Sequence, residues 1–283
     1  MENRNNRVQE AQQTLQIIKS GVYTAGNERV NIAESIKYSV KATVLYTPES
    51  FVNINSEATG EISARNIQTT ISVKNCTSME AATELLKTKE RIGCLNFASA
   101  KNPGGGFLSG AQAQEESLAR ASSLYPTLTK FQEMYDYNRS RQTYLYSDYM
   151  IYSQDVVFFR NDAGKLLPQP YKMDILTSPA VNIGAMKQNN PKELSSAKDV
   201  MLKRIDKILS VFVLHKAANL VLGAYGCGVF QNDPKDVAQY FAEYLTKDGK
   251  YAHCFNNIVF AVFDRSRNQE NIRAFEQVFN SRR

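Results

Sequence analysis

Gln114-Glu115-Glu116, two adjacent carboxylates preceded by an amide, are the residues of this chain best suited to proton chemistry. A carboxyl at an anomeric centre can protonate a leaving group and stabilise an oxocarbenium-like sugar. Partial burial and a neighbouring carboxylate both push one pKa of such a pair upward. Separated from them by seven residues lie Gly104, Gly105 and Gly106, preceded by Asn102 and Pro103. Lacking a Cβ, these glycines let the backbone approach a ligand closely and turn N–H groups toward an anion. Taken singly, each feature has a plainer reading: a structural turn for the glycines, a turn residue for Asn102, and solvated first-turn acids favoured by the helix dipole for Glu115 and Glu116.

A second glycine-rich segment runs from Gly223 to Pro234, GAYGCGVFQNDP. It comprises Gly223, Ala224, Tyr225, Gly226, Cys227, Gly228, Val229 and Phe230 ahead of Gln231-Asn232-Asp233. It follows a short apolar run and precedes a helix opened by Pro234, which suits an anion cradle of backbone amides and a helix N-terminus. Cys227 between glycines reads as a small packing residue or as a reactive thiol. Neither His215 nor His253 stands in a nucleophile-elbow context, so Ser-His-Asp catalysis has no local signature.

The elements that must position these residues follow from periodicity. Helical spacing predicts a helix over residues 7–20 with Gly21 as its C-cap, and residues 22–68 show strand-like pieces, as at Val40 to Tyr46, among polar turns. A strand over Thr69 to Lys74 leads to a capping box, Thr77-Ser78-Met79-Glu80, opening a helix to about Thr88. Ile92 to Phe97 is the strand that feeds the first glycine loop. A helix starts within Glu115 to Ser123, Leu124-Tyr125-Pro126 breaks it, and another spans Lys130 to Asn138. Val156 to Arg160 and Met173 to Leu176 read as strands about an Asn161-Asp162-Ala163-Gly164 turn. Then come a long helix Leu194 to Leu214, a strand Leu220 to Leu222, a helix Pro234 to Leu245, a strand Ile258 to Phe263 and a helix Gln269 to Phe279. Strands alternating with helices predict an α/β fold with a largely parallel sheet covered on both faces. Both glycine loops follow strands, where such sheets bind ligands.

Composition sets the class. With 283 residues, 43% hydrophobic and 22% charged, the chain can bury a sizeable core. The net charge of +6 is scattered, which predicts a solvated surface mildly favouring anionic ligands rather than a nucleic-acid groove. Cys76, Cys94, Cys227 and Cys254 show no CxxC spacing, and two histidines leave few ligands for zinc, so no metal and no cofactor is assigned. No apolar run reaches the roughly 20 residues that span a bilayer, and the N-terminus is too polar for a secretory signal. The expectation is a monomeric cytoplasmic protein without a membrane segment. Export into a host cell as an effector, by a route that reads no such signal, stays open.

Joined together, three glycines, seven residues and Gln-Glu-Glu resemble the signature of poly(ADP-ribose) glycohydrolases. NFASAKNPGGGF around them is similar to the microbial type built on one macrodomain, and Gly223 to Pro234 is similar to that family's second phosphate loop. The resemblance runs from about residue 7 to the end. It implies a macrodomain-like three-layer α/β/α fold with a mixed, largely parallel sheet, residues 1–68 forming an N-terminal extension on a core of residues 69–283. It implies an ADP-ribosyl hydrolase that holds a diphosphate between the two loops and cleaves the bond at the distal ribose. On that pattern Glu116 is the catalytic acid, Glu115 binds a ribose hydroxyl, Gln114 orients the pair, and Asn102 hydrogen-bonds the distal ribose. Val229 and Phe230 pack on that ribose. Phe263 stacks on adenine, a core role being its other reading. Poly(ADP-ribose) and ADP-ribosylated proteins, arginine-linked ones included, remain alternative substrates. A non-catalytic ADP-ribose reader is the rival from another class, and an intact acid pair disfavours it.

Overall fold

The computed structural model describes residues 3–280, without the side chains of Asn55 and Ser56. Along the chain run helix α1 (Arg4–Ser20), strands β1 (Val22–Ala25) and β2 (Glu28–Asn31), α2 (Ala33–Ala42), β3 (Val44–Tyr46), α3 (Phe51–Ser63), β4 (Thr70–Lys74), α4 (Ser78–Leu85) and β5 (Ile92–Phe97). There follow α5 (Gln114–Ala121), α6 (Leu124–Thr129), α7 (Gln132–Ser140), β6 (Met150–Arg160), β7 (Leu166–Ser178), α8 (Ile183–Asn189), α9 (Leu194–Leu214), β8 (Asn219–Leu222), α10 (Pro234–Leu245), β9 (Asn257–Ala261) and α11 (Glu270–Phe279). The fold is the expected mixed α/β class, with a seven-stranded sheet ordered β3-β6-β7-β5-β8-β9-β4. The pairs β5–β8, β8–β9 and β4–β9 are parallel, and β6–β7 is antiparallel.

The chain divides into two compact units. The first takes residues 1–45, 96–140 and 149–178. Its frame is the β6–β7 hairpin, turned at Asn161 to Gly164, where Gly164 N–H donates to Asn161 O. Ile17, Tyr23, Ala25, Ile32, Ile36, Val157 and Phe159 form a core in which α1, α2 and the β1–β2 hairpin pack on β6. A smaller cluster of Ala11, Phe107 and Ala119 joins α1 to the glycine-loop region and α5. The second unit takes residues 46–95, 141–148 and 179–283. Phe260 of β9 is its centre, with Phe241 of α10 and Phe275 and Phe279 of α11 at centroid distances of 5.5, 5.4 and 4.4 Å.

Most expected elements stand within a residue or two of their sequence bounds, and the capping box on α4 is made in both directions. Four expectations are corrected. Residues 22–68 hold a hairpin and two helices besides β3, because α2 (AESIKYSVKA) mixes β-branched and aromatic residues that mask its period. Leu124-Tyr125-Pro126 is no break: Pro126 falls in the first turn of α6, where a missing N–H leaves no bond unmade. Strands β6 and β7 are far longer than read, since polar residues and the prolines Pro168 and Pro170 interrupt the apolar pattern. Strand β9 ends at Ala261, so Phe263 lies beyond it rather than closing it. Helix α8 carried no periodic signal long enough to be read.

Candidate active site

In the first unit the carboxyl end of β5 and the start of α5 are sewn together by the three residues that drew attention in the sequence. Gln114 Oε1 accepts from Phe97 N–H at 2.9 Å. Glu115 accepts from Ser99 N–H at 2.7 Å through Oε2 and from Asn96 Nδ2 at 3.2 Å through Oε1. Glu116 Oε1 accepts from Gly106 N–H at 2.9 Å. Both acids are buried, Glu115 with 3% and Glu116 with 9% of its surface exposed. Burial pushes the Glu115 carboxyl up to about 8; backbone hydrogen bonds from Ser99 and Gly104 and the Asn96 amide oppose this, and the neighbouring Glu116 charge adds to it. The upward shift expected for one acid of the pair therefore falls on Glu115.

The glycines serve the acids at closer range than expected. Gly105 has φ +59°, and a Cβ there would lie 2.3 Å from Glu116 Oε1 and 3.1 Å from Glu115 Oε2. Gly105 N–H donates to Asn102 O, Phe107 N–H to Gly104 O, and the Gly104 and Gly106 amides to the two carboxyls. Two of the three glycine amides in this loop are thus taken by the acid side chains and the third by Asn102 O. Asn102 is exposed, its N–H on Ser99 Oγ at 3.1 Å.

Helix α1 braces the loop from behind. Arg4 Nε donates to Ser109 O at 2.9 Å and Arg7 Nε to Gly110 O at 2.8 Å. Thr14 Oγ1 donates to Arg120 O at 2.6 Å, and the buried Arg120 guanidinium donates to Ala111 O at 2.7 Å and to the Gln112 side chain. None of these arginines was legible as a site residue, and neither was Asn96 or Ser99. The only signal was placement: each lies on an element that flanks the motif.

The second glycine segment belongs to the second unit. Gly226, at φ +75°, passes so close to Ala180 and Asn232 that a Cβ would lie 2.5 Å from Ala180 Cβ. Asn232 Nδ2 ties the loop to Val181 O at 2.8 Å and to Gly226 O at 3.0 Å. Asp233 caps α10, accepting from Lys235 N–H at 2.8 Å, with Pro234 in the first turn. Tyr225 N–H donates to Gly223 O and Cys227 N–H to Ala224 O, whereas the amides of Gly226, Gly228, Val229 and Phe230 donate to no group among the described residues. Val229 is 83% exposed, and Phe230 is half-buried against Tyr146 at 5.8 Å between ring centroids. Phe263 is 51% exposed with the Arg265 guanidinium 4.6 Å from its ring, which removes its core reading.

The alternative chemistries lose ground. Burial and the nearby Asp233 raise the Cys227 thiol far above its ordinary range, so it is no thiolate nucleophile. His215 meets the Tyr46 hydroxyl at 2.7 Å, and burial, with Arg91, lowers its imidazole to about 4. Among the described residues no group of three or more His, Cys, Asp or Glu side chains could hold a metal ion.

The family model for the catalytic domain of microbial-type poly(ADP-ribose) glycohydrolase (PARG) matches residues 11–161. The chain belongs to this family. Among solved structures, the poly(ADP-ribose) glycohydrolase of Thermomonospora curvata is 40% identical, with 97% of this chain and 100% of that one covered and a TM-score of 0.92. The same glycohydrolase bound to the inhibitor ADP-HPD matches at 40% identity over the same shares of both chains, with a TM-score of 0.89. The Deinococcus radiodurans poly(ADP-ribose) glycohydrolase in complex with ADP-ribose is 40% identical over 87% of this chain and 97% of that one, at a TM-score of 0.80. No curated protein matches. The PARG family consists of glycosidic-bond hydrolases, and no helix among the described residues is long and apolar enough to cross a membrane.

Proposed function

We propose that this member of the PARG family hydrolyses the glycosidic bond at the distal ribose of poly(ADP-ribose) and releases ADP-ribose. The observation that carries the reading is the buried acid pair, fixed by β5 and the glycine loop and, among the described residues, paired with no basic side chain. Glu116 protonates the leaving oxygen and then, as a carboxylate, activates water at the same ribose. Glu115 holds a ribose hydroxyl, Gln114 fixes the start of α5, and Asn102 reaches the distal ribose. The amides of Gly226, Gly228, Val229 and Phe230 suit a phosphate, the exposed Val229 and half-buried Phe230 suit a ribose face, and Phe263 suits a nucleobase. A second assignment of the acid has support in one observation: Glu115, raised to about 8, carries a proton at neutral pH and could donate it.

The test is release of free ADP-ribose from automodified polymerase, alongside a panel of defined protein linkages that includes arginine. Turnover of polymer with little release from protein linkages is expected. Binding without release on every substrate would instead make the chain a reader. Glu116→Gln is expected to lower release about a thousandfold or more with ADP-ribose affinity within a few fold, as loss of an interaction made in the transition state predicts. If Glu115→Gln alone does so, the two acids exchange roles. Four free cysteines support a reducing compartment, and we place the activity in the cytoplasm.

A further inference from the structure

Asn96, the penultimate residue of β5, is fully buried. Its Nδ2 donates to Glu115 Oε1 at 3.2 Å and to Thr177 Oγ1 at 3.1 Å, and its Oδ1 is buried without a hydrogen-bond partner. A buried carbonyl oxygen left unpaired is destabilising, and one beside a functional carboxyl asks for an explanation. The explanation lies in what Glu115 presents in its two protonation states. Oε2 accepts from Ser99 N–H, so a neutral carboxyl keeps that acceptor and carries its hydrogen on Oε1, toward Asn96. Two donors would then face each other. A half-turn of the amide exchanges Nδ2 for Oδ1 in the same volume. The carbonyl then accepts from Glu115 Oε1–H and from the Thr177 hydroxyl, which can donate as readily as it accepts.

We propose that Asn96, with Thr177 behind it, is a positioning residue for the acid pair, whose amide offers a donor to the Glu115 carboxylate and an acceptor to the Glu115 carboxylic acid. The inference rests on the acid pair being the catalytic centre. In the protonated state the oxygen gains partners and the Nδ2 donors move to the place where Oδ1 lies without one, so the exchange trades one unpaired group for another while keeping Glu115 in one place as its charge changes. The titratable groups acting on Glu115 are Glu116 on its own helix and the Tyr135 phenol of α7. Neither is hydrogen-bonded to Oε1, as the Asn96 amide is.

The experiment titrates the side-chain carboxyls of the full chain by carbon NMR after labelling of glutamate, the Glu115 signal being the one that Glu115→Gln removes. Asn96→Leu removes both the donor to the carboxylate and the acceptor for the acid, and because the bond to the charged form is the stronger, the Glu115 midpoint is expected to rise by up to about one pH unit. Asn96→Asp puts a second carboxylate at the same spot and is expected to raise it further. It is isosteric and keeps a partner for Thr177, so it answers the question if Asn96→Leu does not fold. The pH profile of ADP-ribose release is expected to move the same way, with ADP-ribose affinity at pH 6 within a few fold of the parent. A Glu115 midpoint that stays put in the folded variants overturns the proposal, and so does a loss of turnover with an unshifted profile, which is what a purely structural asparagine would give. Should the parent protein release ADP-ribose from nothing, the functional reading fails, while the titration still reports whether Asn96 governs Glu115.

Discussion

Gly105 has little freedom to vary. Its positive φ strains any other residue, and its Cα faces two carboxyl oxygens at a distance where a methyl group overlaps Glu116. A larger side chain therefore moves the acid before it meets any ligand. Gly105→Val is expected to lower turnover about a hundredfold or more, the usual consequence of displacing a reacting group by an ångström. Steady-state rates on polymer, with circular dichroism to show an intact fold, check this; parental turnover would mean that Glu116 tolerates the shift. The acids and glycines were legible because their types and spacing are rare together. What the glycines do was not, because sequence does not show which oxygen an N–H will face.

At the scale of elements, the loop is held by helices that carry no chemistry. Arg4 and Arg7, one helical turn apart on α1, place guanidinium donors on the carbonyls of Ser109 and Gly110. A hydrogen bond from a charged group is worth about 1.5–3 kcal/mol when shielded and less when exposed. Arg7→Ala, at the part-buried contact, is expected to lose about 1 kcal/mol of stability and to reduce turnover several fold through a looser loop. Chemical denaturation and rates measured on one preparation test both halves; an unchanged rate would limit α1 to a packing role. In the second unit Arg204 of α9 plays the corresponding part. Buried, it donates to Leu145 O and Pro179 O at 2.9 and 3.1 Å, to Tyr146 O, and to Asp148 at 2.9 Å. Asp148 is half-buried, and Arg204 and Lys207 hold its carboxyl below the usual range against that burial. Because Tyr146 carries Phe230, Arg204→Ala would leave three carbonyls without this donor behind the second loop and Asp148 with Lys207 as its remaining partner. A loss of about 3 kcal/mol is expected, read as a shift in the denaturation midpoint. Helix α9 was legible end to end from its apolar stripe, and the spacing puts Arg204, three after Met201 and four before Ile208, on that stripe; which carbonyls it would meet there was not legible.

For the whole molecule, the raised Glu115 carboxyl ties global stability to pH. Unfolded, the group titrates near 4.5; folded, near about 8. Between those values the native state holds a proton that the unfolded state has released, so stability falls as pH rises, by up to about 1.4 kcal/mol per unit for one proton. Below 4.5 both states are protonated and the penalty is absent. Glu115→Gln keeps the shape and removes the ionisation, so its melting temperature is expected to exceed that of the parent progressively from pH 5 to pH 8.5. Parallel melting curves across that range would show that Glu115 ionises as easily inside the fold as outside it. A site that stores such strain trades stability for a protonated acid at neutral pH.

From its residues alone, the chain determined that an acid pair follows a glycine loop at the end of a buried strand, that a second glycine segment follows another, and that strands and helices alternate as in a mostly parallel sheet. Those are local facts, fixed by period, caps and turn residues a few positions apart. Only the tertiary structure decided which acid loses its hydration, which amides are already taken by carboxyls, and that Asn96, Thr177 and the arginines of α1 close around the pair. These depend on burial and on contacts between residues about 10 to 150 positions apart, and a pKa or a hydrogen bond is set by what surrounds a group in space, which the order of residues does not contain.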